Sequence, residues 1–157
     1  MCIQKNKPVS LYAEILPGCS IGGIFIGEKV INVLDRLSSE QTLECEEFNN
    51  FGKVYDLYTV NNGEINFTSD ESDIVLALWC SIGYKGSYDG KYYPGISVRE
   101  VKKNFREKEI YHGYLVLDRN YKIYYGLPDA FDDFVNFDEV NDDIVLEDLY
   151  VGDLKNN

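Results

Sequence analysis

The clearest hydrophobic pattern in the chain is a helical one in its first quarter. Val30, Val33, Leu34 and Leu37 fall at positions i, i+3, i+4 and i+7, a spacing that places side chains on one face of a helix. Gly27 stands just before this periodic segment, where an N-cap residue is expected. The pattern therefore predicts an amphipathic helix that begins directly after Gly27.

A second helix is predicted in the middle of the chain. Ser97 is followed three residues later by Glu100, the spacing of a capping box at a helix N-terminus. Val98, Val101 and Phe105 form the apolar face of this helix. Its exposed face is basic and contains Arg99, Lys102, Lys103 and Arg106.

The remaining patterns favour strands and hairpins. Residues 54–60 are rich in β-branched and aromatic side chains, Asn61-Asn62-Gly63 is a turn sequence, and residues 64–67 alternate polar and apolar, which together predict a hairpin. A second hairpin is predicted from residues 111–118 and 121–125 around Arg119-Asn120. Three further strands are predicted, at residues 11–16, 73–81 and 144–151; for the apolar run 73–81 a short buried helix is the alternative.

These elements predict an α+β fold, an antiparallel sheet of hairpins with two or so helices packed on it in a single pair of layers. The length of 157 residues corresponds to one domain, with residues 1–10 expected to be flexible. The order of Pro-Gly, helix and hairpin occurs twice, near residues 17–67 and 94–125. Whether this is a true internal duplication stays open at the level of sequence.

Charge is distributed unevenly along the chain. The net charge is −12, and residues 123–154 contain no Lys or Arg; we call residues 123–157 the acidic C-terminal segment. Such a charge repels nucleic acid and anionic lipid and attracts a basic protein, although solubility alone is the alternative explanation. The acids of this segment are Asp129, Asp132, Asp133, Asp138, Glu139, Asp142, Asp143, Glu147, Asp148 and Asp153.

Metal and cofactor chemistry finds little support in the sequence. The four cysteines are far apart and His112 is the single histidine, whereas a structural zinc site needs clustered ligands. We therefore expect no metal, no cofactor and reduced thiols in a cytoplasmic protein. The spacing of Gly22 and Gly27 resembles a phosphate-binding loop, but Glu28 occupies the position that requires Lys.

Two alternative functions depend on Cys19. A small enzyme could use Cys19 and His112 as a nucleophile and base, and Leu16-Pro17-Gly18-Cys19 resembles the lipid-attachment box of envelope lipoproteins. Glu14 interrupts the apolar segment that such a leader requires. The longest uncharged stretch, residues 15–27, is shorter than the roughly 18 residues of a membrane-spanning helix.

A loop rich in tyrosine and glycine, residues 83–95, is the second indication of binding. Glycine and proline disfavour regular structure there, and tyrosine offers a large, rigid contact area, as in binding loops generally. The alternative is a structural loop whose tyrosines fold back onto the sheet. The tyrosines are Tyr84, Tyr88, Tyr92 and Tyr93.

Two segments, residues 17–27 and 92–97, resemble bacterial immunity proteins of contact-dependent growth inhibition, as does the compact, acidic character of the chain. The resemblance implies a protein that neutralises a cognate toxin domain, often a basic nuclease, by tight 1:1 binding. Because the chain has one histidine, no clustered cysteines and Glu28 where a phosphate-binding loop needs Lys, we expect that it is not an enzyme. A basic groove would attract an acidic inhibitor. The residues expected to contact the toxin are Tyr84, Tyr88, Tyr92, Tyr93, Asp132, Asp133, Asp138, Glu139, Asp142, Asp143, Glu147 and Asp148.

Overall fold

The computed structural model describes residues 7–128 and 136–156. In these residues the chain is mostly antiparallel sheet with some helix, which agrees only roughly with the predicted α+β class. The helices are α1 (Val30–Arg36) and α2 (Val98–Asn104), with a 3-10 helix at Phe137–Glu139. The strands are β1 (Ser20–Ile21), β2 (Ile24–Phe25), β3 (Leu43–Asn50), β4 (Lys53–Val60), β5 (Ile65–Ser69), β6 (Ala77–Cys80), β7 (Ile96–Ser97), β8 (Lys108–Tyr111), β9 (Tyr114–Leu117), β10 (Ile123–Gly126), β11 (Val145–Leu146) and β12 (Leu149–Val151).

Eight of these strands form one antiparallel sheet in the order β3-β4-β5-β6-β12-β10-β9-β8. Strands β3 to β6 are consecutive in the chain, and so are β8, β9 and β10. The two groups meet where β6 pairs with β12, and there Trp79 lies opposite Tyr150. The sheet therefore consists of two four-stranded halves that are joined at its centre.

The two halves are related by an approximate two-fold axis between Trp79 and Tyr150. In each half a helix precedes the four strands, α1 before β3-β4-β5-β6 and α2 before β8-β9-β10-β12. The N-cap residue of each helix also pairs with the segment that precedes the innermost strand of its own half. Lys29 pairs with Ile74, before β6, and Ser97 pairs with Val145, before β12. The repeated order of elements in the sequence is thus a structural repeat.

A glycine occupies the same place before each helix. The Gly27 N–H donates to the Val75 carbonyl at 2.8 Å, and the Gly95 N–H donates to the Leu146 carbonyl at 2.8 Å. Their φ angles of +88° and +96° lie in the region that favours glycine. The prediction that Gly27 is the N-cap of α1 is wrong, because Lys29 occupies that position.

Both helices pack on the same face of the sheet. Val30 and Val33 of α1 and Val98 and Val101 of α2 belong to one buried hydrophobic cluster. Alternate strand residues point to opposite faces, so the strand members of this cluster define the helix side. Those in the eight-stranded sheet are Val60, Ile65, Phe67, Leu78, Cys80, Leu115, Leu117, Ile123, Tyr125, Leu149 and Val151. Neither α1 nor α2 covers the opposite side of the sheet, which we call the open face.

Both predicted helices are present, although each is shorter than predicted: α1 begins at Val30 and ends before Leu37, and α2 ends before Phe105 and Arg106. The Ser97 hydroxyl accepts a hydrogen bond from the Glu100 N–H at 3.1 Å, as a capping box predicts. The reciprocal bond of the box is replaced, because the Glu100 carboxylate accepts from the Tyr93 hydroxyl.

The strand predictions are confirmed in part. The hairpin around Asn61-Asn62-Gly63 is present as β4 and β5, and β9 pairs with β10. The predicted strand 111–118 is interrupted, because His112-Gly113 forms a tight turn with φ angles of +49° and +83°. Residues 73–81 are a strand only over β6, residues 144–151 are divided into β11 and β12, and residues 11–16 contribute one isolated bridge at Leu16.

A buried ion pair fixes the start of α1. The Glu28 side chain is 3% exposed, accepts from the Phe25 N–H at 2.9 Å and pairs with the Arg36 guanidinium. Arg36 also donates to the Gly23 carbonyl at 2.7 Å. The pair therefore links the β1–β2 hairpin to the helix that follows it.

The substitution Glu28→Ala is expected to lower the free energy of unfolding by about 3 kcal/mol, because it leaves the Arg36 charge buried without its partner. Asp35→Ala removes an exposed carboxylate from the same helix and is expected to cost less than about 0.5 kcal/mol. Urea unfolding of both variants measures the difference. Equal losses would contradict a structural role for the ion pair.

Candidate protein-binding face

The register of the eight strands aligns a continuous row of side chains across the open face. Aromatic residues occupy the middle of the row, and a carboxylate stands at each end. From β8 to β3 the row contains Glu109, Val116, Tyr124, Tyr150, Trp79, Asn66, Thr59 and Glu44.

Four aromatic rings form a cluster at the centre of this face. Trp79 and Tyr150 stack with ring centroids 5.2 Å apart, and Tyr124 lies parallel to Tyr150 at 5.8 Å. Tyr114 meets both tyrosines edge-on, at 4.8 Å from Tyr124 and 5.6 Å from Tyr150. Such geometries are favourable for aromatic pairs. Trp79, Tyr114 and Tyr150 remain partly exposed, whereas Tyr124 is 7% exposed, so three of the four rings are accessible to a partner.

Burial within the cluster affects the tyrosine hydroxyls. It raises the pKa of Tyr124 to about 12, with smaller contributions from Tyr114 and Asp153. Burial likewise raises the pKa of Tyr150 well above its ordinary value. Both phenols are neutral at physiological pH, as an ordinary tyrosine is, and act as apolar surface with a polar tip.

The charges of the open face are mainly negative. Its strand positions include Glu44, Glu46 and Glu109, which are exposed. Lys53 is the one base at these positions, and its ammonium pairs with Asp70 at 3.0 Å. Lys155, from the C-terminal tail, lies over the Tyr121 ring at 4.1 Å. The face therefore complements a basic surface.

A recess of about 590 Å³ opens beside the aromatic cluster. Tyr114 and Tyr150 line it on one side, and Glu147, Asp148 and His112 line it elsewhere. The Asp148 carboxylate accepts from the Ser81 hydroxyl at 2.5 Å. Aromatic walls together with carboxylates favour a cationic side chain, Lys or Arg.

Two of the predicted binding tyrosines are core residues. Tyr84 and Tyr92 are 5% and 4% exposed. The Tyr84 hydroxyl donates to the Ala13 carbonyl at 2.5 Å, and the Tyr92 hydroxyl donates to the Leu117 carbonyl at 3.1 Å. In this structure they cannot reach a partner, so their expected role as anchors is corrected to a structural one.

The rest of the loop also folds back onto the sheet. Tyr88 and Tyr93 are half-buried and pack against the core. Burial, and then the hydrogen bond to Glu100, raise the pKa of Tyr93 to about 12. A Cβ at Gly86 would lie 2.1 Å from the Ala13 carbonyl oxygen, so glycine is required where the two backbones meet.

Much of the acidic C-terminal segment faces bases of the same chain. Asp142 pairs with Lys102 at 2.7 Å and Asp143 pairs with Arg99 at 3.0 Å. Both bases lie on α2. Asp138 lies 3.7 Å from Lys108. Glu139 and Glu147 are exposed, and Asp132 and Asp133 lie outside the described residues. The basic face of α2 and this part of the acidic segment thus neutralise each other.

The structure gives no support to a nucleophile and base pair formed by Cys19 and His112. Cys19 takes part in a disulfide bond, which contradicts the expectation that all thiols are reduced and leaves no thiolate there for catalysis. His112 is an exposed turn residue.

Among residues 7–128 and 136–156, no group of three or more His, Cys, Asp or Glu side chains could hold a metal ion. None of the described helices has the length and apolar character to cross a membrane.

Comparison of the chain with models of known protein families, with curated proteins and with solved structures found no match. The candidate site is therefore defined by its own geometry.

The sequence patterns do not single out the open face. Trp79 lies in an apolar run that reads as entirely buried, and Tyr114, Tyr124 and Tyr150 belong to three separate strands. The available signal is strand alternation, since each of these tyrosines is flanked by residues of the helix side, such as Leu115 and Leu149. Only the pairing of β6 with β12 brings the four rings together.

The ion pair between Asp142 and Lys102 has a testable titration. The hydrogen bond from Lys102 lowers the pKa of Asp142, so the fold stabilises the ionised carboxylate. This stabilisation is complete above the ordinary pKa and is lost as the pH falls through the lowered value. In Lys102→Met the Asp142 pKa, measured by carbon-detected NMR, is expected to rise toward its ordinary value. In the control Lys103→Met it is expected to stay low; the same rise in both variants would contradict the assignment.

Proposed function

We propose that this protein is an immunity-type inhibitor that binds a basic toxin domain through the open face of its sheet. The observation that carries the proposal is the partly exposed aromatic cluster around Trp79 and Tyr150, which has carboxylates on both sides. No catalytic or cofactor role is part of the proposal, and the expected partner is a protein.

Aromatic side chains of this kind suit a binding surface. Trp and Tyr are enriched among the residues that contribute most to interface affinity. Here they stand on four successive strands of the sheet, β6, β12, β10 and β9, and ring contacts hold them in place. Because the rings are ordered before binding, little conformational entropy is lost when a partner covers them.

Charge supports a basic partner. The net charge of −12 would steer a cationic protein toward the chain and disfavour nucleic acid. Glu44, Glu46 and Glu109 at the margins of the open face would meet basic residues around the aromatic centre. The recess between Tyr114, Tyr150 and Asp148 has room for a Lys or Arg side chain from the partner.

This proposal places less weight on the acidic C-terminal segment than on the open face. Asp138, Asp142 and Asp143 already have partners within the chain, so a toxin would have to compete with those ion pairs. Glu147 and Asp148 make no ion pair among the described residues, although Asp148 accepts from the Ser81 hydroxyl, and both border the recess next to the aromatic cluster. Of the predicted acidic contacts, these two have the most support.

Gene neighbourhood and growth rescue test the function directly. The proposal expects a large secreted-toxin gene immediately upstream of the gene for this chain. Coexpression with the C-terminal domain of that toxin is expected to restore growth to cells that the toxin domain alone arrests. Failure of rescue by a folded, soluble chain would overturn the proposal.

With the purified toxin domain, Trp79→Ala is expected to weaken binding at least about tenfold, since it removes the centre of the aromatic cluster. Ile31→Ala, on the exposed side of α1, is the matched control and is expected to leave binding unchanged. Titration calorimetry measures the affinity, and thermal unfolding verifies that both variants fold. Equal affinity of the two variants would exclude the open face as the interface.

Charge reversal separates steering from packing. Glu44→Lys combined with Glu109→Lys reverses both ends of the row on the open face. It is expected to slow association about tenfold and to flatten its dependence on ionic strength. Asp35→Lys combined with Glu40→Lys makes the same change in net charge at exposed positions outside the eight-stranded sheet. Stopped-flow quenching of Trp79, the single tryptophan, measures both; identical rates would show that only the total charge matters.

A further inference from the structure

One edge of the sheet is unusually open. β3 lies at the end of the sheet, and all eight of its residues are exposed. At the opposite edge, β8 has four residues, and its Lys108 side chain is largely buried and pairs with Asp138. The two edges occupy equivalent places in the structural repeat, but the first half has the longer edge strand.

This edge strand belongs to a longer hairpin. The pair Leu43 and Val60 corresponds to the pair Lys108 and Leu117 at the start of each outer hairpin. β8 and β9 end at the turn His112-Gly113, whereas β3 and β4 continue for four more pairs, from Glu47 opposite Asp56 to Asn50 opposite Lys53. The extended tip carries Phe51, which is fully exposed at a φ of +52°, an unfavourable angle for a bulky residue.

The turn determines which backbone groups of β3 face away from the sheet. Asn50 and Lys53 close a two-residue turn, so they form a hydrogen-bonded pair. At the other end of the hairpin, the Asn61 N–H donates to the Thr42 carbonyl at 2.8 Å. Thr42 and Asn61 are therefore also a hydrogen-bonded pair, as the alternation along the ladder requires. The alternate residues therefore direct their N–H and C=O groups outward: Leu43, Cys45, Glu47 and Asn49.

β3 lacks most of the usual protections of an open edge, and the one that it has is negative charge. Edge strands are commonly shortened, interrupted by Pro or bulges, or provided with charged side chains, Lys above all. β3 has eight residues, pairs without interruption and contains neither Pro nor Lys. Its charged residues are Glu44, Glu46 and Glu47, which repel a strand of like charge and favour a basic one.

A second copy of the chain is a poor occupant of this edge. Two copies of β3 would pair antiparallel through their outward backbone groups. In the two registers with the greatest overlap, either Glu46 lies opposite the Glu46 of the copy or Glu47 lies opposite its Glu47. Like charges in direct cross-strand pairs are destabilising. A different strand with Lys or Arg at alternate positions would instead pair its bases with Glu44 and Glu46 on the open face.

We propose that β3 is a strand-pairing site for an extended, basic segment of the protein partner. The segment would add a ninth strand to the sheet through the outward groups of Cys45 and Glu47. The proposal rests on the proposed function for the existence of a basic protein partner, but it names a different contact. Backbone hydrogen bonds would supply affinity, and the glutamates would select the charge of the added strand.

Proline substitution isolates the backbone contribution. The Glu47 N–H points away from β4, so Glu47→Pro removes an outward donor and leaves the β3–β4 ladder intact. Glu47→Ala is the matched control, because it removes the same carboxylate and keeps the N–H. Far-ultraviolet circular dichroism and urea unfolding verify that both variants retain the hairpin.

The probe is the peptide acetyl-Lys-Val-Lys-Val-Lys-Val-Lys-amide, with the Glu-for-Lys peptide as its charge control. Amide hydrogen exchange of the labelled protein is followed by NMR. The lysine peptide is expected to slow exchange at Cys45 and Glu47 at least about tenfold, and the glutamate peptide is not. This protection is expected to persist in Glu47→Ala and to be lost at Cys45 in Glu47→Pro.

The outcomes separate this inference from the proposed function. Absence of protection at Cys45 and Glu47, equal protection by both peptides, or protection of Cys45 that survives Glu47→Pro would overturn the strand-pairing site. If toxin binding is lost in Trp79→Ala but is the same in Glu47→Pro and Glu47→Ala, the inference fails and the open face stands. Protection of β3 that persists in Trp79→Ala supports strand pairing independently of the aromatic cluster.

Discussion

The pairing of β6 with β12 is the interaction on which the rest of the structure depends. It joins two halves that each contain one short helix and four strands, and neither helix exceeds seven residues. Such helices are marginal by themselves and are stabilised by the strands beneath them. Leu78 and Leu149 contribute to the core on the helix side of this pairing, while Trp79 and Tyr150 meet on the open face. The same four residues thus connect the core to the candidate binding surface.

Local signals in the sequence predict local structure well. The Ser97–Glu100 spacing predicts α2 because a capping box depends on residues three positions apart, and Asn61-Asn62-Gly63 predicts its hairpin because the turn alone specifies it. β3 is missed for a physical reason: both of its faces are exposed, so no alternation of apolar and polar residues marks it. The turn at His112-Gly113 is missed because the surrounding residues are uniformly favourable for a strand. β6, the central partner of β12, lies before the whole second half of the chain, and no local pattern encodes their pairing.

Charge along the chain and charge in space differ in this protein. The sequence collects acids after residue 122 and bases on α2, which suggests an uncompensated acidic tail. In the structure Asp142 and Asp143 lie over Lys102 and Arg99, so these charges hold the tail against the helix. The tyrosines of residues 83–95 differ from the sequence expectation in the same way, since the rings of Tyr84 and Tyr92 are buried in the core and offer no contact area to a partner. Composition identifies the chemistry that is available, but only the fold decides which groups remain available to a partner.

The open face and the β3 edge are parts of one continuous surface. The row that starts at Trp79 passes through Asn66 and Thr59 to Glu44, so a strand added to β3 would extend that row by one position. Basic side chains of the added strand would lie beside Glu44 and Glu46, and the rest of the partner would be directed over the aromatic cluster. Strand pairing would fix the orientation of the partner, and the rings would provide the apolar contact. The two contacts are therefore geometrically compatible, and the longer hairpin of the first half explains why one edge of a nearly symmetric sheet would be used for binding and the other would not.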